Sequence, residues 1–255
     1  MQSDLGELRR RYAEYVAAYA VDGVLPPMME LKRIHTDMVV ENARAIARGE
    51  GFAADVAATC EAAALLHDTG RYEQLRRYGT FRDADSVDHA VFSHDIVRDR
   101  GWLAGRADAG AVLKAVLWHN RRELPAETDV RTLTAARCVR DADKLDIFRV
   151  LEDRVAHTDW RRDSTAFWNL RTDLAPNPEV VAAIASDRPV DYQNIRSLAD
   201  FVLVQVGWIR SGLSFGTSRR LCRERGHFEY RRRFLLDLVG YDCAALANPE
   251  DGREA

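Results

Sequence analysis

The segment AAALLHDTG, residues 62–70, most limits what this chain can fold into. An apolar helical run ends there on two adjacent polar side chains, His67 and Asp68. An imidazole and a carboxylate are costly to bury without a partner. A divalent cation satisfies both at once. A fold built on this segment must bring further ligands to the same helix end from elsewhere in the chain.

The 255 residues, 47% of them apolar, suffice for a real core in one large domain or two small ones. The formal net charge of −3 argues against a protein dominated by non-specific nucleic-acid binding, so no stable nucleic-acid partner is expected. Arg219, Arg220, Arg223 and Arg225 cluster, as do Arg231, Arg232 and Arg233, but Glu224 and Glu229 interrupt them. They read as solvated helix faces. Cys60, Cys138, Cys222 and Cys243 lie far apart with no C-x-x-C pair, which fits a reducing cytosol and a cytoplasmic protein. The opening MQSDLGELRRRY has no apolar signal core. The stretch FVLVQVGWI from Phe201 is too short to span a bilayer and contains Gln205. It reads as a core helix, and no membrane partner is expected.

Helix formers dominate and no alternating strand pattern appears. The pattern predicts helices over about 5–20, 28–48, 54–68, 86–100, 106–120 and 128–152, with shorter pieces among the prolines of 160–191. A long helix over 195–211 and a last helical segment to about 239 follow. Gly70 reads as the C-terminal cap of the third helix. The expectation is a single all-α domain over 1–255, with a core over about 28–155 and a C-terminal helical extension over about 160–240.

Further polar residues fall on core-facing sides of these helices. His35 lies on a stripe with Met28, Leu31, Met38 and Val39. His119 stands above Ala115 and Val112, and Asp143 above Val139 and Ala136. Aspartate is almost never fully buried unless paired. His89 shares its side with Phe92 and Ile96 but also with Asp85, Ser86 and Ser93. Each histidine alone suits an ordinary hydrogen-bonded residue. Together, on neighbouring helices, they can point at one centre, as in metal-binding bundles. His94–Asp95 is a second such dipeptide without the preceding apolar run. His94 lies five residues after His89, about 140° around a helix, so the two should not converge.

The ordered pattern H…HD…H…H…D resembles that of the HD-domain metal-dependent phosphohydrolases. LLHDTGRYEQ resembles their LHDxGR segment, with Thr69 where Ile is expected, and DADKLD resembles their last ligand motif. YGTFRDADSVDHA is similar to a T-F-x-D-x-x-S-x-D-H-A signature of a bacterial subgroup. The resemblance covers roughly residues 28–151 and implies an HD-domain helical bundle with additional C-terminal helices. By position it implies that His35, His67, Asp68 and Asp143 hold one metal. Asp68 would bridge to a second, completed by His89 and His119. Asp141 competes with Asp143 within the same motif; apolar helical neighbours one turn back favour Asp143.

Such mixed imidazole and carboxylate ligands suit Mn, Fe, Co, Ni or Zn, one or two ions per chain. The implied activity is hydrolysis of a small phosphorylated substrate, a nucleotide in the first instance, by metal-activated water. Asp68 sits at the centre of that chemistry. Lys144, next to Asp143, is read either as a phosphate contact or as an exposed lysine. Arg71 is read either as a phosphate contact or as a partner of Glu73 or another carboxylate. Asp146, three residues after Asp143, is a candidate hydrogen-bond partner for a ligand histidine. Two alternatives stand beside the hydrolase. One is a di-iron oxygenase of the inositol-oxygenase type. The other is a non-catalytic nucleotide-binding regulatory module. The helix near Trp208 suits internal packing or a homodimer contact.

Overall fold

The computed structural model describes residues 5–127, 129–162, 167 and 170–247. Among these the secondary structure is helical, with two isolated β-bridges, Val21–Val24 and Arg171–Ser197, and no sheet. The chain divides into two compact units, Met1–Asp146 and Ile147–Ala255.

The first unit holds α1 (Leu5–Ala17), α2 (Pro27–Gly49), α3 (Ala54–Leu66), α4 (Gly70–Tyr78), α5 (His89–Asp99), α6 (Ala109–Trp118) and the first part of α7 (Val130–His157). Pro27 opens α2, where a missing N–H costs nothing. Its chain direction reverses through Gly51, whose φ of +66° suits glycine. The central helix is α3. It is apolar nearly all round, with Cys60, Ala62, Ala63, Ala64, Leu65 and Leu66 buried, and it packs against α1, α2 and α6. Its small alanines let three neighbours approach, so the end of α3 is surrounded by helices.

Gly70 does not cap α3 as the sequence suggests. The backbone stays helical through His67 and Thr69, and Gly70 is the first residue of α4. Its glycine serves close packing instead. A Cβ there would stand 2.7 Å from the Ser93 backbone nitrogen and 3.0 Å from the His89 carbonyl oxygen. The helix α4 itself escapes the sequence reading, because GRYEQLRRY shows little apolar patterning and begins on a glycine. It ends at Gly79 in the left-handed conformation. Asp88 then caps α5, its side chain accepting from the Ala90 and Val91 N–H groups.

The second unit holds the rest of α7, then α8 (Pro178–Ala185), α9 (Leu198–Ser211), α10 (Gly216–Glu224) and α11 (His227–Val239). The last predicted helical segment is split by Gly226 at φ +67°. Val202, Leu203 and Val206 of α9 pack with Val180, Ile184, Phe234 and Leu235. Burial of each such side chain contributes roughly 1.5–3 kcal/mol. The solvated reading of the second basic cluster fails at Arg231. It is fully buried, donates to Glu152, Gln205 and the carbonyls of Phe148 and His227, and lies over the Phe148 ring. Arg232 instead pairs with Asp242, nearer the surface. Cys60, Cys138, Cys222 and Cys243 are buried free thiols. Among the described residues, no helix is long and apolar enough to cross a membrane.

Candidate metal centre

Four helices of the first unit each present an imidazole anchored at Nδ1. His67, just past α3, bonds the Ala64 carbonyl at 2.8 Å. His119, just past α6, bonds the Val116 carbonyl at 2.7 Å by the same three-residue reach back. A carbonyl only accepts, so both Nδ1 atoms carry a proton, which leaves Nε2 as the ligand atom of each ring in its neutral form. His35 in α2 bonds Asp146 Oδ2 through Nδ1 at 2.6 Å, and His89, which opens α5, bonds Asp83 Oδ2. Anchoring one ring nitrogen fixes which way the other points. Thr69 fits its position because its hydroxyl donates to the Leu66 carbonyl at 2.9 Å, securing the turn that carries His67 and Asp68.

All four Nε2 atoms face Asp68. Its Oδ2 lies 3.6 Å from His35 Nε2 and 3.5 Å from His67 Nε2. Its Oδ1 lies 3.6 Å from His89 Nε2 and 3.7 Å from His119 Nε2. Asp143 Oδ1 joins the first set, 3.1 Å from His35 Nε2 and 3.9 Å from His67 Nε2. The Nε2 atoms of His35 and His67 are 3.3 Å apart, and those of His89 and His119 are 3.0 Å apart. Donors about 2.1 Å from one shared ion stand roughly 3.0–3.4 Å from their neighbours. The two imidazole pairs and the His35–Asp143 contact fall in that range, while the Asp68 oxygens, 3.5–3.7 Å from the rings, and the His67–Asp143 contact, at 3.9 Å, lie slightly beyond it.

The electrostatics suit cation binding. Burial pushes the His67 imidazole down to about 4, against the pull of Asp68 and Asp143. Burial and then Arg71 push His89 down to about 4, against Asp83. Both rings are neutral near pH 7, as a ligand must be. At His35, burial and Lys32 act downward, but the hydrogen bonds to Asp143 and Asp146 outweigh them and raise it. Asp68 is held well below the usual carboxylate range: its burial is overcome by Lys32, the histidines and Arg71. Asp143 is likewise held low, its burial overcome by His35 and His67. Asp68 Oδ1 is buried without a hydrogen-bond partner. A buried, ionised oxygen that accepts no hydrogen bond and faces two imidazoles, with only Arg71 Nε 3.5 Å away to offset its charge, suits a divalent ion.

Lys144 is half-buried beside Asp143. Burial lowers its pKa to about 8, against the charges of Asp141 and Asp143. Asp141 is buried and acts on Lys144 and Cys138. Arg71 is wedged near the centre, with its Nε 3.5 Å from Asp68 Oδ1 and its NH1 donating to Gln74, the Phe81 carbonyl and Asp83. Its carboxylate partners are Asp83 and Asp68, while Glu73 pairs with Arg76 and Arg77. His94 bonds its own neighbour Asp95 at 3.0 Å. A cavity of about 820 Å³ lined by Tyr15, Tyr19, Arg100 and Trp102 contains none of these ligand side chains.

Two residues escape the sequence reading. Lys32 Nζ lies 2.6 Å from Asp68 Oδ2. Asp83, which holds His89, Gln74 and Arg71, sits in a polar connection. The only signals were Lys32 one turn before His35, and the aspartate of the T-F-x-D stretch.

The fold and its centre define a helical protein with His/Asp clusters able to hold a divalent metal. Residues 33–147 match the family model described as HD domain. Over those residues the chain is similar to the HD-domain superfamily of metal-dependent phosphohydrolases. No curated protein and no solved structure matches it significantly.

Proposed function

We propose that the chain is a metal-dependent phosphohydrolase acting on a small phosphorylated compound of the nucleotide class. The observation that carries the reading is the division of Asp68, with Oδ2 facing one pair of imidazoles and Oδ1, which accepts no hydrogen bond, facing the other. His35, His67, Asp68 and Asp143 would hold one ion, and Asp68, His89 and His119 a second. Divalent ions so held supply an activated water and polarise a phosphoryl oxygen.

The chain's own residues do the rest. Asp146, Asp83 and the carbonyls of Ala64 and Val116 keep the four rings in register. Arg71 and Lys144 bring positive charge close to the phosphoryl oxygens, where negative charge develops. Lys144, at about 8, is still mostly protonated at pH 7. The nucleotide class rests on the family resemblance.

The test is purified protein loaded with Mn²⁺ and offered a panel of phosphomonoesters and nucleotides. Metal-dependent phosphate release that disappears in Asp68→Ala is expected. No release from protein with metal confirmed bound overturns the reading. Nucleotide binding without product would turn it toward a regulatory module.

A further inference from the structure

We propose that Lys32 is the residue that grips the substrate's phosphate, an inference that rests on the phosphohydrolase reading. Lys32 lies on α2 one turn before His35 and reaches over the centre to Asp68 Oδ2 at 2.6 Å. That oxygen is the one facing His35 and His67. A divalent ion in the first ligand set needs the same oxygen. Ammonium and ion then compete for one carboxylate oxygen and repel each other across it. A phosphate dianion between them removes the repulsion, because each positive centre gains an oxygen.

The side chain is built for that exchange. Its relative exposure is 18%, against 3% for Asp68, so solvent reaches the lysine side chain more than it reaches the carboxylate. Its four-carbon stem is flexible and its charge is compact. Arg71 is the opposite: three acceptors tie its NH1. Both cations lie over one ring, Phe81, with Lys32 Nζ 5.6 Å and Arg71 Cζ 5.7 Å from its centroid. A fixed guanidinium, a movable ammonium and an apolar ring in contact with both make an anion clamp beside the ligands. The competing account is that Lys32 only holds Asp68 in place. The two accounts differ in what happens to metal affinity when the lysine is removed.

The probes are Mn²⁺ alone, then inorganic phosphate titrated into Mn²⁺-loaded protein, both followed by calorimetry. In Lys32→Gln, Mn²⁺ affinity stays equal or rises, whereas phosphate affinity falls about tenfold or more, the worth of a charge-assisted hydrogen bond. Lys32→Arg keeps most of the phosphate affinity. Unchanged phosphate affinity in Lys32→Gln overturns the proposal. So does a large loss of Mn²⁺ affinity, which would make the lysine a prop for Asp68. Should Lys32→Gln fail to fold, amine labelling of wild-type protein read by mass spectrometry decides. Phosphate added to the Mn²⁺-loaded protein protects Lys32 if it grips the anion, and no protection ends the proposal. Phosphate binding through Lys32 without turnover of any ester would sink the hydrolase reading and leave this one standing. Turnover with an unchanged KM in Lys32→Gln would do the reverse.

Discussion

His35 Nδ1 lies 2.6 Å from Asp146 Oδ2, joining residues 111 positions apart in sequence. The bond turns His35 Nε2 toward Asp68 and Asp143. A carboxylate behind a ligand imidazole fixes its tautomer and raises its basicity, and its loss typically weakens metal binding about 10–100-fold. Asp146→Asn is therefore expected to lower Mn²⁺ affinity by that order while the helical circular dichroism stays at the wild-type level. Unaltered Mn²⁺ affinity would show that His35 needs no such support.

The division of Asp68 between two imidazole pairs sets an order of losses. His119→Ala removes a donor from the Oδ1 side alone. Asp68→Ala removes a donor from both sides. Elemental analysis after Mn²⁺ loading should find less metal in His119→Ala than in the wild type, and almost none in Asp68→Ala. Full occupancy in Asp68→Ala would contradict a shared ligand.

What the sequence made legible here were the positions where polarity and burial conflict. His35, His67, His119 and Asp143 stood out because each interrupts an apolar stripe. The helices they sit on were legible for the same reason. Lys32 and Asp83 did not stand out, since a lysine on a helix and an aspartate in a polar loop match solvent exposure equally well. Only folding brings Lys32 within reach of Asp68 and Asp83 within reach of His89. Arg231 was misread by the same logic: its neighbours in the basic run hid a side chain buried against Glu152 and Gln205.

The depressed histidines set the acid stability of the metal-stripped protein. Folding lowers His67 and His89 from 6.5 to about 4, so the unfolded chain binds more protons between those values. Their contribution is present above pH 6.5 and is lost as pH falls toward 4, up to roughly 3 kcal/mol for each. His35 is raised, so its contribution is complete below 6.5 and fades as pH rises through its folded value. Below pH 6.5 the His35 contribution is already complete, so the two lowered rings set the slope there. Asp68 and Asp143, held low, add their own loss only below about 4. Urea midpoints of EDTA-treated protein should fall steadily from pH 7 to pH 4.5. A flat profile would mean that these rings are not buried neutral.

Gly70 links the packing of α4 on α5 to the position of His89. Its N–H donates to Ser93 Oγ at 2.8 Å, and a methyl group there would meet the Ser93 nitrogen at 2.7 Å and the His89 carbonyl at 3.0 Å. Both obstacles are backbone of α5, which cannot step aside as a flexible side chain does. Gly70→Ala must then push α5 away, at a cost of about 1–3 kcal/mol as for other overpacked sites. Since His89 opens α5, the push carries its Nε2 away from Asp68 Oδ1 while leaving His35 and His67 on their own helices. The expected outcome is a lower thermal midpoint together with weakened binding of the ion assigned to His89 and His119, read by Mn²⁺ calorimetry. A variant as stable as wild type, with both affinities intact, would show that α5 has room the close contact at Gly70 denies.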